Sequence, residues 1–184
     1  MTKKTIVRTP NISVLGSYTA TEDELNLSYE LGKALSIFNL NIISGGQKGV
    51  MYELCRGVFE NRNNSVNKCS IIGILPSNGF KEGNEYLDVA IPTGSGALQN
   101  IIVPMSADLV IAVGGSAGTL AEISFAWQNK KPIGLIGKTG WANKLANQKL
   151  DNRRKECMNH FSTIPDLISW VERTLNILNK ENNV

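Results

Sequence analysis

Short apolar runs alternate along this chain with longer stretches in which apolar positions recur every three or four residues. Runs of the first kind predict strands and recurrences of the second kind predict helices. Asn11 to Leu15 reads as a first strand that runs into Gly16-Ser17-Tyr18. Thr21 and Glu24 have the spacing of a capping box, and Leu27, Leu31, Ala34, Leu35 and Phe38 then line one helix face. A second strand, Leu40 to Ile43, closes on Ser44-Gly45-Gly46. The helix after it carries Met51, Leu54, Cys55 and Val58 in one stripe and is broken by Asn61-Arg62-Asn63-Asn64.

The same alternation continues. Cys69 to Leu75 and Leu87 to Ile91 read as strands three and four, with a polar loop between them. A short helix is expected over Leu98 to Ser106, where Pro104 imposes a kink or an early stop. Leu109 to Val113 is the most apolar run and suits a central strand buried on both faces. Leu120, Ile123 and Trp127 form the next helix stripe, Pro132 to Ile136 the next strand, and Thr139 to Leu150 a polar, loosely packed segment. A last helix opens at Thr163 and Asp166, with Pro165 in its first turn, and shows Ile168, Val171, Leu175 and Leu178 on one face. Strands alternating with helices predict the α/β class, an open parallel sheet with helices on both faces, and the absence of repeats or linkers predicts one domain over residues 1–184.

Composition narrows the function classes. With 184 residues, 42% hydrophobic and 19% charged, the chain can bury a core, and a net charge of +3 gives no polybasic arm for nucleic acid. No apolar run approaches the roughly 18 residues of a membrane span. Met1 to Pro10 carries charges without an apolar stretch behind them, so a soluble cytoplasmic protein is expected. Cys55, Cys69 and Cys157 are odd in number and lack a CxxC pair, which argues for reduced thiols and against a cysteine-built zinc site. Cys157 and His160 share a helix-like spacing, but two ligands without partners make no metal site. Lys149, Arg153, Arg154 and Lys155 lack interleaved aromatics and read as a solvated face.

The glycines are placed unevenly. Gly16-Ser17 follows strand one, Gly45-Gly46 with Gly49 follows strand two, Thr93-Gly94-Ser95-Gly96 follows strand four, and Gly114-Gly115-Ser116-Ala117-Gly118-Thr119 follows strand five. In a parallel α/β sheet these loops share the carboxyl edge, where helix amides point outward and favour phosphate. Glycine also simply makes turns, so four such loops together, and not one alone, point to a small phosphorylated ligand. GxGxxG is absent after strand one, which disfavours an ordinary dinucleotide site, and Pro132 stands where a P-loop ending at Gly137-Lys138-Thr139 needs its first glycine. Ser17, Ser44, Ser116 and Thr119 can bond phosphate or cap their own helices. Glu122 is expected in the first helical turn after the Gly114 loop. There it either completes a capping box with Thr119 or, since a carboxylate repels phosphate, faces sugar hydroxyls or serves as a base.

Gly114-Gly115-Ser116-Ala117-Gly118-Thr119-Leu120-Ala121-Glu122 resembles the GGxxGTxxE signature of the LOG family, long labelled lysine decarboxylases, within the SLOG superfamily. Gly16-Ser17, Gly45-Gly46 and Gly49-Val50-Met51 extend the resemblance from about Asn11 to Ile136. It is nearest to the branch that holds molybdenum cofactor carrier proteins. The resemblance implies a Rossmann-like fold, a homodimer or homotetramer, and binding of a phosphorylated nucleotide or pterin, molybdenum cofactor included. The implied contacts are Gly16, Ser17, Gly45, Gly46, Gly94, Asn100, Gly114, Gly115, Ser116, Gly118, Thr119 and Glu122. It also implies an activity, hydrolysis of nucleoside 5′-monophosphates to free base and ribose 5-phosphate, with Glu122 paired to an arginine. Here Gln99-Asn100 stands where relatives read Arg-Asn, and Val113 where hydrolytic members have proline. An uncharged amide cannot replace the guanidinium, so the binding reading leads. An arginine from a neighbouring subunit, or Arg56, is the alternative source, and single-stranded DNA binding is the remaining rival.

Overall fold

The computed structural model describes residues 8–63 and 69–181, leaving Met1 to Val7 and Asn64 of the predicted helix break outside the described residues. The elements run β1 (Asn11–Gly16), α1 (Glu22–Leu35), β2 (Asn41–Ser44), α2 (Val50–Asn61), β3 (Ser70–Leu75), β4 (Val89–Pro92), α3 (Gln99–Met105), β5 (Leu109–Val113), α4 (Ala117–Gln128), β6 (Ile133–Ile136), α5 (Gly140–Lys144), β7 (Asn159–Phe161) and α6 (Ile164–Glu181). A 3-10 turn, Gly96–Leu98, leads into α3. The capping box forms as its spacing predicts: Thr21 N–H donates to Glu24 Oε2 at 2.9 Å and Glu24 N–H to Thr21 Oγ1 at 3.3 Å. At α6, Asp166 N–H donates to Thr163 Oγ1 at 3.3 Å. Helix α3 stops one residue after Pro104.

All six strand pairings are parallel, in the order β4-β3-β2-β1-β5-β6-β7. The chain therefore builds outward from β1 to one edge, returns to the middle at β5, and builds outward again. Ile12 lies beside both Ile42 and Leu109, and every residue of β5 is buried, as its continuous apolar run predicts. Alternate side chains serve the two faces. Ile12, Val14, Ile42, Ile71 and Ile111 pack with Leu31, Leu35, Leu54, Val58 and Leu167 from α1, α2 and α6. Leu15, Ile43, Val110, Ala112 and Leu135 pack with Val103, Ile123, Trp127 and Ala142 from α3, α4 and α5. Each such valine, leucine or isoleucine side chain contributes roughly 1.5–3 kcal/mol of burial. Helices α1 and α2 meet backbone to backbone, since a Cβ on Gly32 or Gly57 would overlap the carbonyl of Leu54 or Tyr29.

Two expectations need correcting. Part of the polar Thr139 to Leu150 segment is helical, as α5, because the amides of Trp141 and Ala142 return to the carbonyls of Gly115 and Gly114 at 3.1 and 2.8 Å. The helix-like spacing of Cys157 and His160 is no helix: Cys157 precedes β7 and His160 lies on it. Three residues are too few for a strand period to show in sequence.

Candidate functional site

Where strand order reverses, between β1 and β5, the flanking loops diverge and leave a crevice beyond the carboxyl ends. It encloses about 170 Å³. Gly16, Ser17, Gly45 and Gln47 from the ends of β1 and β2 form one side, with Met51 of α2. Gln99 and Asn100 at the start of α3, and Ser116, Gly118, Thr119 and Glu122 of α4, form the other, and half-exposed Tyr18 stands at the mouth.

The local chemistry begins at Ser116. It is the N-cap of α4 in an extended conformation, φ −107° and ψ −163°, yet its hydroxyl accepts no bond from the helix. Leu120 is the first residue whose amide returns to the helix, to Ser116 O at 3.0 Å. The amides of Ala117, Gly118 and Thr119 consequently lack intrahelical acceptors, and they carry the positive end of the helix dipole. Gly118 keeps this wall open: a Cβ there would meet only Asn100 Nδ2, at 3.9 Å. The glycine before the loop does different work. Gly114, at φ +55°, lies under the Glu24 carboxylate, which a Cβ would strike.

Glu122 is the point at which the sequence reading needs revision. Because α4 starts at Ala117, Glu122 falls in the second turn and Thr119 within the first, so no capping box joins them. The half-buried Glu122 side chain makes no hydrogen bond or ion pair to another described residue. Burial pushes its carboxyl up to about 8, so it is largely protonated at neutral pH. The objection that a carboxylate repels phosphate therefore loses force, because a neutral carboxyl can donate to a phosphate oxygen.

Gln99 is buried and turned to structure: its Nε2 donates to Gly45 O at 3.1 Å and to Ile74 O, holding the ends of β2 and β3. Among the described residues no lysine or arginine lines the crevice. Arg56 pairs with Glu53 at 2.7 Å and stacks 4.7 Å from the Tyr29 ring centroid, so it is engaged between α1 and α2. Of the sequence candidates, Gly16, Ser17, Gly45, Asn100, Ser116, Gly118, Thr119 and Glu122 converge on the crevice, whereas Gly46, Gly94, Gly114 and Gly115 do not line it. Gly46 packs on Gly73 and Leu87, and Gly94 on the Asn78 side chain. Ser44 accepts the Gly46 amide at 3.1 Å and faces the interior.

Sequence reasoning passed over Tyr18, Gln47 and Met51, although each adjoins a glycine loop that it singled out. It also passed over the second duty of Glu24, whose Oε1 accepts from Thr139 Oγ1 at 2.7 Å and so ties α1 to the loop behind Gly114. Elsewhere the basic cluster is partly structural. Arg154 donates to Lys131 O at 2.8 Å and lies 4.7 Å from the Trp127 ring centroid, and Arg153 pairs with Asp151 at 2.8 Å. The thiols are free, Cys55 and Cys69 buried and Cys157 exposed. Among the described residues no group of three or more His, Cys, Asp or Glu is arranged to hold a metal ion, and no helix is long and apolar enough to cross a membrane.

A seven-stranded parallel sheet with helices on both faces and a crevice at its switch point defines a Rossmann-like α/β protein. The chain belongs to the SLOG cluster4 family, whose profile matches residues 9–165. It is similar in structure to the molybdenum cofactor binding protein from the phototrophic bacterium Rippkaea orientalis, with a TM-score of 0.80 and 29% identity, over 92% of this chain and 99% of that one. It is likewise similar to the Moco carrier protein from Chlamydomonas reinhardtii, with a TM-score of 0.76 and 31% identity, over 92% and 99% of the two chains. An uncharacterised protein of Archaeoglobus fulgidus is 29% identical over 127 residues, 68% of this chain and 78% of the relative.

Proposed function

We propose that this protein binds a phosphorylated nucleotide or nucleotide-like cofactor, as a carrier or sensor, with its phosphate at the start of α4. The observation that carries this reading is the uncapped N-terminus of α4, opening into a crevice furnished with uncharged donors. The amides of Ala117, Gly118 and Thr119 and the hydroxyls of Ser17, Ser116 and Thr119 can surround one phosphate, and Glu122 and Asn100 face what is attached to it. Likeness to molybdenum cofactor carriers makes molybdenum cofactor, taken as cargo, the specific candidate. The test is thermal stabilisation by a panel of nucleoside phosphates and pterin phosphates, for parent protein and Gly118→Leu. A ligand at 100 times its Kd adds about 2.7 kcal/mol of stability. Stabilisation lost in the variant supports the site, and equal stabilisation of both proteins overturns it.

A second reading, phosphoribohydrolase, is favoured by Glu122 alone, a carboxyl in the crevice without a partner among the described residues and shifted toward the range useful for acid-base work. Against it stands the crevice lining, which supplies no guanidinium. Chromatography of nucleoside 5′-monophosphates incubated with parent and Glu122→Ala decides: base release by the parent alone establishes the enzyme, and none supports the carrier or sensor.

Homo-oligomer assembly is proposed as well, through the β4 edge. Val89 and Ile91 pair in register with Ile72 and Ile74, which pack under the α3 side of the sheet. They remain exposed there, as do Leu98 and Met105. A second copy of this chain is the natural cover for that edge.

A further inference from the structure

The crevice is too small for the ligand proposed above. Its 170 Å³ lies below the roughly 300–1,000 Å³ of pockets that enclose a small organic molecule. It holds a phosphate and part of a sugar, and the ring system must lie elsewhere. The crevice shares Tyr18 and Gln47 with an adjoining groove of about 710 Å³, walled by the 81–85 loop, Lys48 and Tyr52. We propose that this groove is the subsite for the planar ring of the ligand, with Tyr18 as the face on which the ring stacks and Lys48 and Lys81 as the cations that meet acceptor groups on its edge. This deepens the reading of the crevice and rests on it.

Tyr18 is built as a platform. The residue is 53% exposed at the junction of the two spaces, and its side chain makes no hydrogen bond to another described residue. Its backbone, by contrast, is held: the Val50 amide donates to Ser17 O at 3.1 Å, and Gly49 packs so closely on the carbonyls of Ser17 and Tyr18 that a Cβ would overlap both. A fixed backbone under an uncovered ring suits stacking, which every fused heterocycle can use. The neighbouring Tyr52 is already committed, donating to Glu85 at 3.0 Å and meeting the Tyr86 ring edge-on at 5.2 Å.

The charges of the groove are sorted in a way that fits the same ligand. Glu82 accepts from Gln47 at 3.0 Å and Glu85 from Tyr52, so both carboxylates are held by uncharged donors. Lys48 and Lys81 are exposed and lie in none of the ion pairs formed by the described residues. The outer wall is rigid, because Asn84 reaches back to the carbonyls of Gly46 and Gln47 at 3.1 and 3.2 Å. Two ammonium groups beside an aromatic face favour a ring with carbonyl or nitrogen acceptors, a feature common to guanine and pterin.

The test is calorimetric titration of the parent protein, Tyr18→Ala, Tyr18→Phe and Lys48→Ala/Lys81→Ala with three probes: ribose 5-phosphate, GMP and 6-hydroxymethylpterin monophosphate. For the parent, a ring-bearing probe is expected to bind more tightly than ribose 5-phosphate. Tyr18→Ala should then weaken that probe about tenfold or more and ribose 5-phosphate by a clearly smaller factor, while Tyr18→Phe restores binding. The double lysine variant should weaken the ring-bearing probes selectively. If ribose 5-phosphate binds and the ring adds nothing, or if Tyr18→Ala weakens all probes by one factor or none, the groove assignment is overturned and the crevice stands. If no probe binds the parent, both fail together.

Discussion

Protonation of Glu122 links a single side chain to the stability of the whole protein. Its carboxyl titrates near 8 in the folded state and in the ordinary carboxylate range when unfolded. Between those values the folded protein holds a proton that the unfolded chain has released, so this group's contribution to stability falls as pH rises through the window. Glu122→Gln removes the penalty. The variant is expected to melt above the parent at pH 8, and the gap should narrow toward pH 5, as differential scanning calorimetry at both pH values would show. A gap independent of pH contradicts the assignment. At Gly118, an alanine gains helix propensity without a clash and should stabilise the apo protein by about 0.5 kcal/mol. The same methyl narrows the crevice proposed to take a phosphate, so denaturation and ligand titration should move in opposite directions. The thiols give a simpler expectation. Burial raises Cys55 to about 11 and Cys69 to about 12, whereas Cys157 is exposed. Iodoacetamide should label one thiol in the native protein, seen by mass spectrometry, and all three after denaturation.

At the scale of elements, loops and helix starts shape the crevice more than any single hydroxyl does. Gly49 caps α2 at φ 69° and ψ −134°, a conformation open in practice only to glycine, with the Ser17 and Tyr18 carbonyls against it. Gly49→Ala should cost about 2–3 kcal/mol in urea denaturation and disorder the Tyr18 platform with it. Glu24 closes the α1 capping box with one oxygen and anchors Thr139 with the other. The box was legible as Thr21-x-x-Glu24, because such pairs sit three residues apart. The Thr139 contact spans 115 positions, and no local pattern announces it. The same locality explains Glu122. Its spacing from Thr119 matches a capping box, but the helix begins earlier, at Ala117, because Ser116 takes the extended N-cap conformation.

For the whole molecule, the order of the strands places the site. Reversal between β1 and β5 brings loops from opposite halves of the chain together, so residues 16–18, 45, 47 and 51 share one crevice with residues 99, 100, 116, 118, 119 and 122. The sheet also leaves an edge. Val89 and Ile91 expose apolar surface on β4, and replacing both with lysine should lower the mass found by sedimentation velocity while the fold, read by circular dichroism, is retained. An unchanged mass would place the assembly surface elsewhere or mean that the parent is a monomer.

Hydrophobic periodicity determined the α/β class, six of the seven strands and the burial of β5, since each depends on residues near one another in the chain. Glycine placement likewise singled out the loops at the carboxyl edge. Only the tertiary structure decided which glycines line the crevice and which turn the chain: Gly16, Gly45 and Gly118 line it, whereas Gly46, Gly94, Gly114 and Gly115 are spent on close packing or turns. It alone turned Gln99 toward the carbonyls of Gly45 and Ile74 and left Glu122 without a partner among the described residues. The physical reason is common to these cases. A residue's type and spacing are local, whereas its burial and hydrogen-bond partners depend on segments that only the packed sheet brings into contact.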